Sequence, residues 1–598
     1  MADLRSGAMH PPRPELALKL GITGHRALGT DGRAALVAAL DDLFARIADK
    51  VAAIGQAHAD LFGDCAPVLT LVSPLAEGAD QIAAAVALGR GFTLHALLPF
   101  ARDTYAEDFK GAALARFEAL LARAEAVWAL PAPRSLGTRG YVLAGEATVA
   151  QSDILIAAWD GEEARGPGGT AEVVDIAVRR GVPVIHLPTG SADAPTILWA
   201  GFEDVAPELL RSDDAPRRPL DRAALEEVLD ALLAPPDAMP ELTLFLAEHE
   251  RRVRSRPEWA LLLATVGVQP IRRASFRAAG YAETARLDWE TYHQGVADAC
   301  GPAARMEVLE SAFAWADGLA QHYANVFRSG VVLNFAGAAL AVLLSLAASL
   351  LPGEKLELLV AELLIIAAVV ANTAHGTKRQ WHRRWLDYRF LAEQLRPLRS
   401  LKLLGAASAA VRSSGASRRW TDWYAQALWR SLGAPPTLAG PDALGRLARH
   451  IAAHELDGQV GYHRASAHRM HVLDHRLHQI GLTLFAMTIL IGLGTLGGLL
   501  FAHELTKQIA PVLGMLSAAL PTLGAAIFGI RGAGDFAGTA GRSAETARRL
   551  AHAASLLRRD PIDHKAAVRA SEEAASIMLA DLGEWRSTYT HRKLAIPS

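Results

Sequence analysis

The chain follows one pattern of apolar and polar positions in its first part and a different one in the remainder. Over roughly the first 190 residues, short apolar runs such as ALKLGIT, VLTLVS and DILIAAW alternate with amphipathic stretches of helical period. Apolar runs of strand length between helical stretches predict strands buried in a mostly parallel sheet. We therefore expect an α/β doubly wound, Rossmann-like N-terminal domain with helices on both faces of the sheet.

The remainder carries four long apolar segments, arranged in two pairs. They cover residues 331–351, 358–374, 480–502 and 509–530, and short polar turns, PGEKLE and HELTKQ, join the members of each pair. An uncharged helix as long as the first segment covers about 31 Å, close to the roughly 30 Å hydrocarbon core of a bilayer. We predict an all-α C-terminal part with four transmembrane helices in two hairpins.

The same pattern divides the chain into segments. We expect a flexible N-terminus over residues 1–14, the α/β domain over 15–235, a helical linker with the first membrane module over 236–405, cytosolic linker helices over 406–458, and the second membrane module over 459–598. In both modules a polar helical segment precedes the hairpin and a basic amphipathic helix follows it. This repeated order predicts a duplicated module.

The distribution of charge predicts the orientation of the hairpins. Basic residues flank one side of the apolar segments, whereas the two hairpin turns contain only Lys355 and Lys507. Since positive charge stays on the cytosolic side, both termini and the region between the hairpins are expected in the cytosol. The N-terminus lacks the apolar core of a secretory signal, in agreement with a cytosolic first domain. We predict a multi-pass protein of the inner (cytoplasmic) membrane.

Aromatic residues alternate with arginines just after the second apolar segment. Trp381, Trp385 and Tyr388 stand among Arg383, Arg384 and Arg389. This pattern is typical of an aromatic belt at the membrane interface, and recognition of anionic lipid headgroups is the alternative. The net charge of the whole chain is only −2, which gives no reason to expect nucleic acid as a partner.

Candidate binding residues gather at the carboxyl ends of the predicted strands, where ligands bind in such sheets. They are Thr23, Gly24, His25 and Arg26 after the first strand, Ser73, Glu77, Gly78 and Asp80 after the second, Arg102 after the third, Asp160 after the fifth, and Gly168, Gly169, Thr170 and Glu172 where the next helix opens. Glycines let backbone amides approach an anion, and a helix N-terminus attracts it.

Specific roles follow from the chemistry of these side chains. We expect His25 and Arg26 to face a phosphate, and Asp80 or Asp160 to accept hydrogen bonds from a ribose. Taken singly, the glycines are equally typical of turns, and acidic residues are typical of the first turn of a helix. Their convergence at one edge of the sheet favours a binding site.

The sequence motifs of several classes of enzyme and metal site are absent from the chain. The chain contains no GxxxxGK[ST], HExxH or GxSxG, and its two cysteines, Cys65 and Cys300, are too few for a thiolate metal site. GLGTLGG in the third apolar segment matches a dinucleotide fingerprint only by its letters, because no strand precedes it. We predict no catalytic residue, no metal site and no cofactor other than the bound ligand.

Four stretches carry a resemblance to a known family: GITGHR, SPLAEGADQIAAAVAL, LPFARDTY and DILIAAWDGEEARGPGGTAEVVDIAVRRGVPVI. They resemble the SLOG superfamily of Rossmann-like nucleotide-binding domains, which includes DprA-like domains and LOG phosphoribohydrolases. The resemblance covers about residues 15–190. It implies a nucleotide or nucleotide-derived ligand, held by Thr23, Gly24, His25, Arg26, Ser73, Glu77, Gly78, Asp80, Gly168, Gly169 and Thr170.

The chain departs from the LOG enzymes in one motif. Their pattern PGGxGTxxE is shortened to PGGTAE at residues 167–172, so the phosphate cradle is expected to persist without hydrolysis of a glycosidic bond. A membrane-anchored nucleotide-processing enzyme of the phosphoribohydrolase type remains the alternative to a ligand-binding sensor.

The two hairpin modules are similar to SLATT domains, which are two-transmembrane effectors of bacterial conflict systems. This resemblance implies a homo-oligomer that disrupts the lipid bilayer or forms a pore when its sensor is engaged, as in antiphage defence. A secondary transporter is a third hypothesis, to which repeated hairpins point. Four spans and a large soluble domain argue against it.

Overall fold

The N-terminal domain is built on one eight-stranded sheet. The computed structural model describes residues 10–163, 166, 168–190, 193–203, 211–236, 239–253, 255–278, 280–300, 306–408, 419–438 and 440–589. Residues 1–9 of the predicted flexible N-terminus and Pro167 of the glycine-rich motif therefore lie outside the described residues. The strands are β1 (Ala17–Gly24), β2 (Val68–Ser73), β3 (Thr93–Leu98), β4 (Ala126–Ala129), β5 (Ile154–Trp159), β6 (Val184–Pro188), β7 (Thr196–Leu198) and β8 (Arg217–Pro219).

Helices connect the strands and make up the rest of the chain. Those of the α/β domain are α1 (Thr30–Ala57), α2 (Ala79–Gly89), α3 (Arg102–Ala106), α4 (Ala112–Leu121), α5 (Thr138–Ala150), α6 (Thr170–Arg179) and α7 (Arg222–Leu233). The helical part contains α8 (Pro240–Leu246), α9 (Glu258–Thr265), α10 (Tyr281–Cys300), α11 (Glu307–Leu350), α12 (Lys355–Lys378), α13 (Trp381–Leu395), α14 (Leu398–Leu404), α15 (Trp420–Ser431), α16 (Pro441–Ile451), α17 (Asp457–Phe501), α18 (His503–Gly534), α19 (Phe536–Leu557) and α20 (His564–Tyr589).

The strand order is β4-β3-β2-β1-β5-β6-β7-β8, and β1 to β6 are parallel. This confirms the predicted α/β doubly wound fold. Strands β7 and β8 add an antiparallel edge that the sequence pattern does not predict, because three residues are too few to carry a period. The chain leaves β1 towards β2 and later returns to its other side as β5, so the order reverses beside β1.

The four apolar helices are long and apolar enough to cross a membrane, as expected of a multi-pass membrane protein. Helices α11 and α17 have 44 and 45 residues, about 66 and 68 Å, which is roughly twice what a bilayer core requires. The first half of α11 is largely buried among other helices, and its second half carries the apolar segment. Large exposed apolar side chains are concentrated on α12, α17 and α18.

The order of helices is the same in both modules. A long helix, an apolar helix and two further helices occur as α11 to α14 and again as α17 to α20. Helix α13 packs on α11 as α19 packs on α17, and α11 also contacts α18. The domain boundaries at residues 235, 405 and 458 stay predictions.

Two local predictions are wrong. The turn HELTKQ belongs to helix α18, which starts at His503, because the Thr506 amide donates to the Ala502 carbonyl and continues the helix. Trp381, Trp385 and Tyr388 do not form a belt, since at most 8% of each residue is exposed. They pack within the helical body, where Arg384 donates to buried Glu248 at 2.8 Å.

Helix α9 contacts both hairpins at the ends opposite their turns. Trp259 and Leu263 of α9 belong to one apolar cluster with Val332 of α11, Leu473 of α17 and Ile530 of α18. Burying such side chains together stabilises their contact by roughly 1.5–3 kcal/mol each. A segment that follows the α/β domain in sequence therefore packs against the bases of both membrane modules.

The amino ends of β1 and β5 dock on the helical part through buried polar groups. The Lys19 ammonium donates to the Leu432 carbonyl, and Asp153 accepts from the Lys19 amide at 3.0 Å and from Arg430 at 2.9 Å. Lys402 donates to the Gln151 side chain at 2.6 Å. Burial lowers the pKa of Lys19 to about 8 and holds that of Lys402 well below its usual value, and the neighbouring Lys19 ammonium lowers the pKa of Lys402 further.

This buried lysine pair makes stability depend on pH. Unfolded lysines bind a proton below about pH 10.4, whereas Lys19 and Lys402 release theirs at lower pH in the folded protein, so unfolding takes up protons and stability falls as pH decreases from 10 towards 8. We expect Lys402→Met to reduce this slope, by up to about 1.4 kcal/mol per pH unit for each proton removed. Thermal unfolding of the detergent-solubilised chain between pH 7.5 and 10 measures it, with exposed Lys110→Met as the control. Equal slopes in both variants would contradict the buried-pair interpretation.

Candidate functional site

A cavity of about 420 Å³ lies where β1 and β5 end, at the point where the strand order reverses. Ligands of doubly wound sheets bind at this position because adjacent loops diverge there. Nine of the fourteen predicted residues line the cavity: Thr23, Gly24, His25, Arg26, Asp80, Asp160, Gly168, Gly169 and Thr170. The fold thus brings together residues that are almost 150 positions apart in the chain.

The turn after β1 depends on two glycines. The His25 amide donates to the Ala158 carbonyl at 3.0 Å, and the His25 carbonyl accepts from the Ala79 amide at 3.1 Å. Gly78 has φ +95°, and a Cβ atom there would lie 2.3 Å from the His25 carbonyl oxygen. A Cβ on Gly24 would lie 2.5 Å from that of Ala79. These glycines let α2 approach the end of β1 closely.

An imidazole and a guanidinium, those of His25 and Arg26, stand on one side of the cavity. His25 Nε2 lies 3.5 Å from Asp160 Oδ1, and its Nδ1 is 3.3 Å from the Thr189 hydroxyl oxygen. The Arg26 guanidinium lies 5.6 Å from the ring centroid of Tyr141, within the range of a cation–π contact. An imidazole and a guanidinium held in this way are suited to an anionic group of a ligand.

Two helix N-termini add backbone donors. Helices α2 and α6 begin at the cavity edge, and their N-cap residues are Gly78 and Gly169. A glycine N-cap has no side chain to accept from the first amides. The Ala79 amide of α2 already donates to the His25 carbonyl, so the next amides of α2, the first amides of α6 and the positive end of each helix dipole can act on an anion. The Glu172 carboxylate accepts from the Gly168 amide at 2.6 Å and thereby shapes the glycine-rich loop.

Asp80 is the buried acid of the site. Only 3% of the residue is exposed, and desolvation raises the pKa of its carboxyl group to about 7 despite the opposing effect of Arg26. A carboxyl group with this pKa changes between a hydrogen-bond donor and a negative charge near neutral pH.

Five predicted residues do not line the cavity. Glu77 is exposed, and Arg102 forms a surface ion pair with Glu118. Ser73 accepts from the Leu75 amide at 3.0 Å, so that it supports the turn after β2. Gly78 and Glu172 act on the backbone around the cavity, as described above. Binding of a ligand by these five residues stays a prediction.

The sequence interpretation missed three aromatic residues that line the cavity: Tyr105, Tyr141 and Trp159. Trp159 directly precedes Asp160, so the strand-end argument was sufficient to find it. Tyr141 lies inside α5, and only the packing of that helix turns it towards the cavity. Burial and a hydrogen bond to Asp108 raise the pKa of the Tyr141 hydroxyl, which keeps it protonated.

The described residues offer little for metal chemistry. Among them, no group of three or more His, Cys, Asp or Glu side chains is placed to hold a metal ion. The donors and acceptors of the cavity are suited instead to an organic anion with a planar part, for which Trp159 and Tyr141 supply aromatic surface.

The protonation of Asp80 yields a test. Because its raised pKa keeps the carboxyl group partly neutral at pH 7, a phosphorylated ligand meets less repulsion at low pH. The AMP phosphate also loses a proton at about pH 6, so the informative quantity is the AMP affinity of the wild type relative to that of Asp80→Asn at the same pH. We expect this ratio to fall as pH rises from 6 to 8. Isothermal titration of both proteins with AMP across this range measures it, with exposed Asp49→Asn as the control. A ratio that does not change with pH would contradict the raised pKa of Asp80.

Comparison with known proteins gives one partial match. Residues 311–408 match a family described as a protein of unknown function, DUF4231. The matched region contains most of α11, all of α12 and the two following helices, which together form the first hairpin module. No curated protein matches the chain. The match thus relates the first membrane module, a minor part of the chain, to an existing family whose description names no activity.

Proposed function

We propose that the protein is a cytosolic sensor of a nucleotide or nucleotide-derived signal that acts on the membrane through its two apolar hairpins. The observation that carries this proposal is the cavity at the switch point of the sheet, in one chain with four membrane-length helices. Neither feature alone indicates a signalling role. Their combination favours a receptor whose response is delivered in the bilayer.

The lining of the cavity supports a nucleotide as the ligand class. Arg26, His25 and the N-termini of α2 and α6 are suited to a phosphate. Asp160 can accept hydrogen bonds from ribose hydroxyls, and Trp159 or Tyr141 can pack against a base. The resemblance of these strand ends to the SLOG superfamily points to the same class.

The helices support a membrane response. Helices α11 and α17 run without interruption from the helical body into their apolar segments. A displacement of the helical body therefore also moves the apolar segment of each helix. Resemblance of both hairpin modules to SLATT domains adds permeabilisation of the bilayer by a homo-oligomer, in bacterial antiphage defence. In this proposal the α/β domain and both termini lie on the cytosolic side of the inner membrane.

Asp80 favours one alternative, a membrane-anchored enzyme that processes nucleotides. A buried carboxyl group with a pKa of about 7 is suited to general acid–base catalysis. Product formation from AMP, ATP, NAD⁺ or ADP-ribose, followed by chromatography with wild type and Asp80→Asn, tests this alternative. Turnover that is lost in Asp80→Asn would favour the enzyme over the sensor.

Dye release from vesicles tests the favoured function. The full chain is reconstituted into calcein-loaded vesicles of phosphatidylethanolamine and phosphatidylglycerol, and AMP, ATP, NAD⁺, ADP-ribose and cyclic nucleotides are added singly. We expect at least one of them to release dye. Arg26→Ala should require about 10- to 100-fold more of it, because a charge-assisted contact to phosphate is lost. Exposed Arg123→Ala serves as the control. A nucleotide that binds the cavity without releasing dye would count against the membrane response.

The proposed orientation has its own test. In a background in which Cys65 and Cys300 are replaced by serine, we expect Gly353→Cys and Glu504→Cys to react with a membrane-impermeant maleimide in intact spheroplasts. Both positions lie at the outer ends of the hairpins, whereas Arg549→Cys on α19 should react only after lysis. Labelling of Arg549→Cys in intact spheroplasts would reverse the orientation.

A further inference from the structure

Helices α5 and α6, which line one side of the cavity, are both connected to helix α20. Helix α5 contributes Tyr141 and Ala144 to the cavity, and α6 contributes Thr170 and Ala171. Near its carboxyl end α5 forms an ion pair with α20, and the residue that follows α6 forms a second one. The cavity and the last helix are therefore connected by two secondary-structure elements rather than by a loop.

The two ion pairs have opposite polarity. Lys565 Nζ of α20 lies 2.6 Å from Glu146 Oε1 of α5. Glu572 Oε1 of α20 lies 3.6 Å from Nη1 of Arg180, the residue that follows α6. Lys565 and Glu572 are seven residues apart, two helical turns, so they share one face of α20. The α/β domain presents an acid and a base, and α20 presents a base and an acid at the matching positions. Because a shifted α20 would bring like charges together, the two ion pairs favour a single register of α20 on the α/β domain.

Helices α5 and α6 are closely packed where they line the cavity. A Cβ atom on Gly145 would lie 2.6 Å from Val173 Cγ2, and both residues belong to the cavity lining. Gly145 precedes Glu146, which pairs with α20. A ligand that changes the packing at Gly145 and Val173 thus acts one residue away from the contact with α20.

Helix α20 is part of the second membrane module and contacts its other helices. It packs on α19, and α19 packs along α17. Only Asp535, with φ +43°, separates α19 from the apolar helix α18, and Arg542 holds its carboxylate at 3.1 Å. The first part of α20 also contacts the end of the first module and the residues just after it, because His564 Nε2 is 2.9 Å from the Leu404 carbonyl oxygen and Glu572 accepts from the Ala407 amide at 3.1 Å.

We propose that α20 couples the nucleotide cavity to the membrane helices, through the Glu146–Lys565 and Arg180–Glu572 ion pairs. This inference rests on the proposed sensor function and adds the route by which occupancy of the cavity reaches the bilayer. Apolar side chains of α20 pack on α14 and α19, and the two ion pairs set the position of this helix relative to α5 and α6. A ligand that binds better to another arrangement of α5 and α6 breaks these ion pairs and alters the packing of α20 on α19.

Both ion pairs are partly exposed to solvent, so breaking them costs little free energy. Their four side chains are between 26% and 39% exposed. Ion pairs with this access to solvent contribute little to stability, so a ligand with a modest preference for the released arrangement can shift the equilibrium.

Hydrogen exchange of the full chain in detergent micelles tests the coupling without a ligand. We expect Glu146→Lys to raise amide exchange in residues 564–580 of α20 by about 2- to 5-fold, the range expected when an exposed ion pair is lost. Lys565→Glu should raise exchange in α20 and, reciprocally, in α5. The double variant Glu146→Lys/Lys565→Glu restores the pair with its charges exchanged and should return exchange towards the wild-type rate.

Two controls separate coupling from general destabilisation. Asp49→Lys reverses an exposed charge on α1 and should leave exchange in α20 unchanged, while exchange in α1 reports the folding of every variant. Arg180→Glu, Glu572→Arg and their double variant repeat the cycle at the second pair. Because Glu572 also accepts from the Ala407 amide, Glu572→Gln, which keeps an acceptor and removes the charge, separates the ion pair from that hydrogen bond. Single variants without effect on α20, or double variants without rescue at both pairs, would overturn the proposal.

Dye release with the same variants separates this inference from the proposed function. If Glu146→Lys changes exchange in α20 and the double variant restores it, while no variant alters dye release from vesicles, then the coupling stands and the membrane response fails. If nucleotides release dye while neither cycle changes exchange in α20, the sensor stands and this route is excluded.

Discussion

The common direction of strands β1 to β6 is the constraint on which the rest of the protein depends. In a parallel sheet all carboxyl ends lie at one edge and all amino ends at the opposite edge. Here the carboxyl edge holds the cavity, beside His25 and Asp160, and the amino edge docks on the helical part through Lys19 and Asp153. The cavity and the attachment to the apolar helices therefore lie at separate edges of one sheet.

Both edges bury groups that water would otherwise solvate. At the amino edge, Arg430 pairs with the Asp153 carboxylate, Lys19 and Lys402 lie close by, and burial favours the neutral form of a lysine. At the carboxyl edge, burial favours the neutral form of Asp80. Removing one partner of such a cluster is more costly than losing a surface contact, because it leaves a buried charge without its partner.

The helical part connects this docking to the four apolar helices. Helices α11 and α17 are each about twice as long as a membrane core is thick, so their first halves can pack in the helical body while their second halves carry segments long and apolar enough to cross a membrane. Helix α9 packs between the bases of the hairpins, and α20 lies between the α/β domain and α19. The two membrane modules thus share contacts with the same body.

The sequence by itself determined the fold class, the four apolar helices and nine residues of the cavity, because strand and helix periods and residues that end a strand are local properties. It did not determine Tyr141, which reaches the cavity from within a helix, or strands β7 and β8, which are too short to show a period. The positions of Trp385 in the core and of Glu146 beside Lys565 were also decided only by the tertiary structure. Contacts between elements far apart in the chain depend on how those elements pack, and the periodicity of one segment contains no information about its neighbours.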